Sequence, residues 1–179
     1  MDIADVFGSV PHEYLWNLLL KSGLHESFLF VLINLYSGTT STYSCGDLKT
    51  PHINIVMGVK QGCPLSMLLF SLAINSVIEA IDTTFGKGYI MNDLNVGVLD
   101  YADDLALISE NDSTLQLMID NAEKVASWAG LKFRPNKCAT LSIPDRVDLI
   151  FNINNVNLPK ILPSASYKYL GVPVGIELD

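Results

Sequence analysis

The chain has 179 residues, of which 49% are hydrophobic and 17% are charged. This composition is typical of a folded chain rather than a disordered one, and the length predicts one globular unit. Acidic residues outnumber basic ones by 19 to 11, which gives a net charge of −8. Such a balance disfavours a protein that binds nucleic acid through its own surface charge.

The sequence has no feature that indicates secretion, a membrane span or a disulfide framework. No basic region followed by an apolar one opens the chain, and no apolar run reaches the ~18 uninterrupted residues of a transmembrane helix. The most apolar stretch, residues 28–35, is better explained as the core face of a helix. Cys45, Cys63 and Cys138 lack the spacing of a metal site. We therefore expect an intracellular protein without a membrane partner.

The first half of the chain is predicted to begin with two helices. Pro11 is suited to the start of the first and Gly23 to its end, and the second covers residues 25–36. A strand-like pair is predicted around Tyr43 and residues 53–56. A longer buried helix follows, because apolar residues recur there with a period of 3.6 residues. These residues are Leu68, Leu69, Leu72, Ala73, Val77 and Ile78.

The second half is predicted to contain a hairpin, a helix and several short strands. Two apolar runs, residues 97–101 and 105–108, bracket Asp103 and Asp104, which is the pattern of a β-hairpin with acids at its turn. Ser113 is placed to cap the helix that follows. The elements together predict an α+β domain with helices packed on an antiparallel sheet.

The strongest chemical signal is the adjacent pair of carboxylates, Asp103 and Asp104. Two like charges at a tight turn repel each other, so a cation that neutralises them is a natural partner, and hard oxygen ligands suit Mg²⁺. An isolated Asp-Asp pair also occurs in solvated surface turns. The pair alone therefore does not decide between these interpretations.

A second candidate element is the loop at residues 58–66, which leads directly into the long helix. Its two glycines allow a close approach of the backbone to a ligand, while Lys60 and Gln61 supply polar side chains. Such a loop can hold a nucleotide, or it can be an ordinary turn and helix start.

Five short segments, taken together, resemble the motifs of reverse transcriptases. In chain order they are DIADVFGSVPH at residues 2–12 (motif A), GVKQGCPLSMLLF at 58–70 (motif B), YADD at 101–104 (motif C), GLKFRPNKC at 130–138 (motif D) and YKYLG at 167–171 (motif E). Because all five occur in the family's order along nearly the whole chain, the sequence is identified as a member of this family. Its motifs are most similar to the branch encoded by non-LTR retrotransposons.

The resemblance implies the palm of a right-hand polymerase, in which a ferredoxin-like antiparallel sheet has helices packed on one face. Residues 1–179 would form a partial reverse transcriptase domain, with the fingers expected before motif A and the thumb after Gly171. Missing basic fingers would also explain the acidic balance. Asp2 would then lie at a frayed chain end.

The resemblance further implies RNA-directed DNA polymerisation in a retrotransposon polyprotein. The implied partners are an RNA template, a DNA primer and deoxynucleoside triphosphates, and the family implies a nuclear location. Asp2, Asp103 and Asp104 match the three carboxylates that hold two Mg²⁺ ions, for which Mn²⁺ can substitute. Lys137 matches a residue that donates a proton or positive charge to the leaving phosphate, although an exposed lysine after a turn explains it nearly as well.

The resemblance also implies residues for nucleotide and primer binding. Phe7 matches the aromatic residue that packs under the deoxyribose and excludes a 2′ hydroxyl. The other matches in the nucleotide site are Gln61, Gly62 and Pro64. The matches that would contact the primer are Tyr169, Leu170 and Gly171.

Several positions depart from the family pattern. Motif A commonly has Ala-Phe-Asp where this chain has Val6-Phe7-Gly8, and Met67 and Arg134 replace a frequent proline and a frequent asparagine. None of these changes affects the three carboxylates. The alternative function is a truncated, non-catalytic remnant or an RNA-binding, maturase-like module. A metal-dependent hydrolase of small molecules would leave motifs B and E unexplained.

Overall fold

The computed structural model describes residues 1–5, 7–85, 88–143 and 149–176, so Val6 of motif A lies outside the described residues. Within these ranges the chain is α+β, as predicted, with four α-helices and six two-stranded antiparallel sheets. A single ferredoxin-like sheet with helices on one face stays a prediction. The chain divides into two compact units, where the sequence predicts one: the first unit is Met1–Ala4 with Ile74–Asp179, and the second is Asp5–Ala73.

The second unit begins with two helices that pack against each other, α1 (His12–Lys21) and α2 (Glu26–Tyr36). The predicted end of α1 is confirmed by Gly23, whose φ of +82° is a conformation that glycine adopts readily. His25 caps α2, because its ring nitrogen accepts a hydrogen bond from the backbone N–H of Ser27.

The most apolar stretch of the chain lies in α2, but only part of it faces the core. Leu29 and Leu32 are buried as predicted. Phe28, Phe30 and Val31 are 52%, 66% and 58% exposed, respectively, so the prediction is wrong for these residues. The helical period explains the difference, since an apolar run in a helix points in all directions.

Two short ladders follow α2. β1 (Thr40–Ser41) pairs with β4 (Ile53–Asn54), and β2 (Ser44–Cys45) pairs with β3 (Leu48–Lys49). The predicted strand pair is therefore wrong in its bounds, because Tyr43 lies between β1 and β2 and Val56 lies beyond β4. Local apolar patterning did not reveal the inner β2–β3 turn.

Helix α3 (Pro64–Phe85) is longer than predicted and begins at Pro64, which lacks the N–H that would have no helical partner there. Its segment Pro64–Ile81 has the length and mean hydropathy, 1.7, of a membrane span. A core helix of a globular fold meets the same criteria. The buried side chains of this segment recur at helical spacing: Ser66, Leu69, Phe70, Ala73, Ile74, Val77 and Ile81.

The first unit contains two hairpins in sequence. β5 (Tyr89–Met91) pairs with β6 (Leu94–Val96), and this hairpin was not predicted. β7 (Val98–Tyr101) pairs with β8 (Asp104–Leu107), which confirms the predicted hairpin with acids at its turn.

Helix α4 (Asp112–Trp128) follows and packs against β8 and β9. Its N-cap is Asn111, so the prediction that Ser113 caps the helix is wrong. Asn111 has the extended backbone of an N-cap residue, and Ser113 lies inside the first turn. Met118, Ile119 and Ala122 form part of its buried face.

The remainder of the first unit consists of short elements, as predicted. They are a 3₁₀ helix (Pro135–Lys137) and the strands β9 (Asn152–Ile153), β10 (Val156–Asn157), β11 (Ser166–Tyr169) and β12 (Val172–Gly175). β9 pairs with β10 and β11 with β12. Side chains that are fully or nearly fully buried in this unit include Ile3, Leu105, Leu131, Cys138 and Ile153.

Candidate active site

The segment that contains Asp2 is held between two others in the first unit. Asp2 is the antiparallel bridge partner of Asp104, and Ile3 is the bridge partner of Phe133. The backbone N–H of Arg134 also donates to the carbonyl of Asp2 at 2.9 Å. Asp2 is therefore tied to motifs C and D through the backbone, where the sequence predicted a frayed end.

The turn of the β7–β8 hairpin brings the motif C acids next to Asp2. Tyr101 and Asp104 are register partners, so Ala102 and Asp103 form a two-residue turn, and Ala102 has a positive φ of +56°. Directly paired residues on antiparallel strands project from the same face. The side chains of Asp2 and Asp104 therefore leave the backbone on the same face of the ladder, and Asp103 is adjacent to Asp104 in the chain.

Negative charge accumulates around Asp104. Partial burial raises the pKa of its carboxyl above the ordinary value of 3.8, and the charge of Asp103 raises it further. The charge of Asp2 adds to this effect. Asp103 and Asp2 thus both act electrostatically on Asp104, and a bound cation would relieve this repulsion.

The carboxylate of Asp2 has a positively charged neighbour. Arg134 Nη1 lies 3.6 Å from Asp2 Oδ1, an oxygen that is buried and has no hydrogen-bond partner among the described residues. The backbone N–H of Asp2 donates to Cys138 Sγ at 3.4 Å, and the thiol of Cys138 donates to the carbonyl of Arg134 at 3.2 Å. Burial raises the pKa of this thiol. The sequence did not assign these roles to Arg134 and Cys138, although Arg134 departs from the family pattern.

The chemistry of the three acids suits a hard divalent cation, but their side chains are not gathered into a coordination site. In the ranges that the structure describes, no group of three or more histidine, cysteine, aspartate or glutamate side chains is arranged to hold a metal ion. Mutual repulsion and the ion pair of Asp2 with Arg134 are sufficient physical reasons. The assignment of Asp2, Asp103 and Asp104 as metal ligands and catalytic residues stays a prediction.

Motifs D and E contact each other in the same unit. Lys137 is exposed at the end of the 3₁₀ helix, and its carbonyl accepts a hydrogen bond of 2.7 Å from the hydroxyl of Tyr167. Burial raises the pKa of Tyr169, and the charges of Asp104 and Asp100 add to this. Motif E therefore lies within electrostatic reach of motif C.

The other predicted primer residues form the turn of the β11–β12 hairpin. Leu170 and Gly171 have φ values of +49° and +85°, as in a type I′ turn, between the register partners Tyr169 and Val172. Leu170 is 48% exposed. The structure thus presents an exposed apolar side chain at this turn, while its contact with a primer stays a prediction.

The second unit has a cavity of about 400 Å³ that is lined in part by predicted nucleotide-binding residues from motifs A and B. Its lining includes Phe7, His12, Tyr36, Gly58, Lys60 and Gln61. The ring of Phe7 also packs against Phe70, at 5.9 Å between centroids. Gly62 and Pro64 do not line the cavity: Gly62 faces open space with a φ of +81°, and Pro64 is the exposed first residue of α3.

Gly58 allows motif B to lie directly on motif A. A Cβ atom at Gly58 would lie 2.7 Å from the carbonyl oxygen of Phe7 and 2.9 Å from Gly8 Cα. Its φ of +85° also favours glycine. The backbone N–H of Val59 donates to the same Phe7 carbonyl at 2.6 Å. Phe7 and the motif B loop therefore form one connected wall of the cavity.

Comparison with known proteins agrees with the motifs. The chain matches the reverse transcriptase (RNA-dependent DNA polymerase) family over residues 1–174. It is 26% identical over 180 residues to the Retrovirus-related Pol polyprotein from type-2 retrotransposable element R2DM of Drosophila melanogaster, covering 96% of this chain and 17% of that protein.

Two further relatives are similar. The Retrovirus-related Pol polyprotein from type-1 retrotransposable element R2 of Popillia japonica is 27% identical over 185 residues, covering 99% of this chain and 26% of that protein. The transposon TX1 uncharacterized 149 kDa protein of Xenopus laevis is 26% identical over 143 residues, covering 79% of this chain and 11% of that protein. This chain thus spans about a quarter or less of these relatives. Since the family match covers nearly all of its residues, the chain belongs to the reverse transcriptase (RNA-dependent DNA polymerase) family.

Proposed function

We propose that this chain is the palm of an RNA-directed DNA polymerase from a retrotransposon polyprotein, which adds deoxynucleotides to a primer 3′ hydroxyl on an RNA template. The observation that supports this most directly is the bridge between Asp2 and Asp104, with Asp103 at the adjacent turn. A structural scaffold gains nothing from acids of two distant motifs on one ladder, because like charges repel.

The proposed carboxylate site consists of Asp2, Asp103 and Asp104, which would hold two Mg²⁺ ions, or Mn²⁺ in their place. When bound, the metals would activate the 3′ hydroxyl and stabilise the leaving pyrophosphate. Two observations fit a cation here: the buried Asp2 Oδ1 has no hydrogen-bond partner within the described residues, and partial burial together with the charge of Asp103 raises the pKa of Asp104. Lys137 would donate a proton or positive charge to the leaving phosphate.

The proposed nucleotide site is the cavity of the second unit. Phe7 would pack against the deoxyribose and leave no space for a 2′ hydroxyl, the group that distinguishes ribose from deoxyribose. Gln61, which lines the same cavity, would contact the incoming nucleotide. Gly62 and Pro64 would set the course of the loop and the start of α3. Tyr169, Leu170 and Gly171 would contact the primer.

The test is a polymerase in which this chain replaces the corresponding segment of a related R2-type protein, between that protein's fingers and thumb. We expect Mg²⁺-dependent primer extension on an RNA template. Asp103→Asn should reduce the rate about a thousandfold or more, since it weakens the charge that holds both ions. Asp100→Asn is the matched control, because it removes the same charge from strand β7 of the same hairpin.

The outcomes separate the proposed function from its alternative. A folded but inactive parent would favour the non-catalytic remnant or maturase-like module. Equal rates for the parent and Asp103→Asn would refute the carboxylate site while leaving the family assignment intact. A loss in Asp100→Asn as large as in Asp103→Asn would show that the charge of the hairpin, rather than the Asp103 carboxylate, supports the reaction.

A further inference from the structure

We propose that His12 is a positioning residue for nucleotide discrimination: it fixes the motif B loop against Phe7 and so sets how strictly the cavity accepts deoxyribose over ribose. This proposal rests on the proposed polymerase function and assigns to His12, which lines the cavity, a role that it performs through the motif B loop. All residues involved lie in the second unit.

A hydrogen bond joins His12 to the motif B loop. His12 Nε2 lies 2.8 Å from the carbonyl oxygen of Gly58. A carbonyl oxygen only accepts, so Nε2 must bear the proton and donate. The ring thus holds the carbonyl of Gly58. The backbone N–H of the same residue donates to the carbonyl of Val10 at 2.7 Å, so both backbone polar groups of Gly58 are bonded.

The imidazole of His12 is itself held in place by neighbouring rings. Its ring makes an edge contact with Tyr36 at 5.1 Å between centroids and a tilted contact with Trp16 at 5.8 Å. Trp16 and Tyr36 also contact each other edge to face at 5.6 Å. Such aromatic pairs have preferred geometries, so the three rings leave the imidazole little freedom to rotate.

Lys60 connects the same cluster of rings, formed by His12, Trp16 and Tyr36, to the other end of the loop. Lys60 lies over the ring of Tyr36, with Nζ 5.3 Å from the centroid, and donates to the carbonyl of Leu35 at 2.7 Å. The loop is therefore attached to the helices on both sides of Val59, through His12 at Gly58 and through Lys60.

This attachment of the loop also fixes residues that line the cavity. Val59 donates to the carbonyl of Phe7, and both Phe7 and Gln61 line the cavity. Because the loop is bonded to the Phe7 backbone, a movement of the loop would shift Phe7 and Gln61 and so change the shape of the cavity. Ribose differs from deoxyribose by one oxygen atom at the 2′ position. A displacement of the cavity residues by about 1 Å is therefore enough to change whether that hydroxyl is excluded.

The decisive pair of variants separates the hydrogen bond from the ring. His12→Phe keeps an aromatic ring between Trp16 and Tyr36 but removes the donor. His12→Gln removes the ring but places an amide N–H at about the reach of Nε2. We expect His12→Phe to lower the ratio of kcat/KM for deoxyribonucleotides over ribonucleotides about tenfold or more in the grafted polymerase. His12→Gln should keep the ratio within about threefold of the parent.

A matched control and a structural readout complete the experiment. His52→Phe makes the same substitution at an exposed histidine that does not line the cavity, and its discrimination should equal that of the parent. Hydrogen exchange of the Gly58 and Val59 amides should be about tenfold faster in His12→Phe and unchanged in the other two variants. If His12→Phe does not fold, His12→Asn also removes the donor, because its side chain is too short to reach Gly58.

Each result decides the proposal. An unchanged ratio of kcat/KM for deoxyribonucleotides over ribonucleotides in an active, folded His12→Phe polymerase overturns the proposal, even if the overall rate falls. A general structural defect would lower kcat/KM for both kinds of nucleotide alike. A parent without primer extension refutes the proposed function instead. In that case hydrogen exchange of the Gly58 and Val59 amides still tests whether His12 positions the loop. Unchanged protection of these amides in His12→Phe would overturn the proposal.

Discussion

Asp2 and Asp104 are backbone partners in an antiparallel bridge, although they lie in the first and third motifs of the chain. Because bridge partners project from the same face, their carboxylates add negative charge at one place. Asp103 adds further negative charge. Partial burial is the largest cause of the raised pKa of Asp104, and the charge of Asp103 is the second largest.

The first prediction concerns the pH dependence of this charge. A raised carboxyl pKa means that the folded state holds the proton more tightly than the unfolded state. Folding stability therefore decreases as pH rises from the ordinary value of 3.8 through the raised pKa. Asp103→Asn should lower the pKa of Asp104 and make this decrease smaller. Carboxyl NMR titration and the free energy of unfolding as a function of pH, both in metal-free buffer, measure the two effects.

Asp100→Asn serves as the control for this titration. Asp100 lies on β7 of the same hairpin, and its charge is not a cause of the raised pKa of Asp104. The pKa of Asp104 should therefore stay at the parent value in Asp100→Asn. Equal shifts in the two variants would contradict the assigned cause.

The second prediction concerns backbone strain at the carboxylate turn. Ala102 has a φ of +56° as the first residue of a two-residue turn, where glycine is preferred when only that residue has a positive φ. Strain of this kind is often found at functional sites. Ala102→Gly should increase the free energy of unfolding by about 0.5–1 kcal/mol, because relief of strain exceeds the entropy cost of glycine. Chemical denaturation measures the change.

The β2–β3 turn provides the reverse experiment. Gly46 is the first residue of the two-residue turn between the partners Cys45 and Leu48, with a φ of +58°. A Cβ atom there would meet nothing within 4 Å, so Gly46→Ala isolates the backbone effect. It should destabilise the protein by about 1 kcal/mol. Changes of the same sign in the two variants would refute the strain argument.

The third prediction concerns the hydroxyl of Tyr36. This side chain is 3% exposed, and its oxygen is buried without a hydrogen-bond partner in the described part of the chain. An unpaired buried hydroxyl costs about 1–3 kcal/mol, so Tyr36→Phe should be neutral or stabilising. Its ring contacts with His12 and Trp16 would remain. Thermal or chemical unfolding measures the effect.

Tyr14→Phe is the matched control for this substitution. The hydroxyl of Tyr14 is also buried but donates to the carbonyl of Ala73 at 3.3 Å. Its removal should therefore cost about 1 kcal/mol. A loss in Tyr36→Phe equal to that in Tyr14→Phe would show that the Tyr36 hydroxyl has a partner in solution.

Local sequence patterns predicted those parts of the fold that depend on near neighbours. The end of α1 shortly before Gly23 and the β7–β8 hairpin follow from turn residues and apolar spacing that are visible in the sequence. The β5–β6 hairpin was missed because its strands are largely exposed on both faces and lack alternation. Burial of only one face of α2 was missed because the sequence does not specify which neighbours cover a helix.

The candidate site divides in the same way. The motif resemblance identified the acids and Phe7, since each lies within a short recognisable segment. The contacts of Arg134 with Asp2 and of His12 with Gly58 join residues far apart in the chain, so no local pattern reveals them. Such contacts depend on tertiary packing.

The last prediction concerns the competition between Arg134 and a divalent cation for Asp2. Arg134 Nη1 lies 3.6 Å from Asp2 Oδ1, at a position where related motifs often have asparagine. Because a guanidinium and Mg²⁺ are attracted to the same carboxylate, Arg134→Asn should increase the affinity for Mg²⁺. The backbone N–H that donates to Asp2 is retained in the variant, so the ladder between motifs A and D should persist.

The magnitude follows from the exposure of this pair. Two unit charges about 4 Å apart near a protein surface attract by roughly 4 kcal/mol before solvation and entropy are counted, but exposed pairs retain only about 1 kcal/mol or less. The side chain of Arg134 is 35% exposed and that of Asp2 is 16% exposed, so the smaller value applies. A change of 1 kcal/mol corresponds to about a fivefold lower Kd for Mg²⁺. Calorimetric titration of the grafted polymerase with Mg²⁺, without nucleotide, measures it.

Lys132→Asn distinguishes this local competition from a change in net charge. Lys132 lies two residues earlier on the same segment and is exposed, and its substitution removes the same unit charge without affecting the ion pair of Asp2. Long-range attraction alone is screened by salt beyond about 10 Å, so Lys132→Asn should change the Kd little at 0.1 M salt. If Arg134 competes directly with Mg²⁺ for Asp2, Arg134→Asn should have a lower Kd for Mg²⁺ than Lys132→Asn at 0.1 M salt. Equal Kd values for the two variants would mean that Arg134 does not occupy the position of a metal at Asp2.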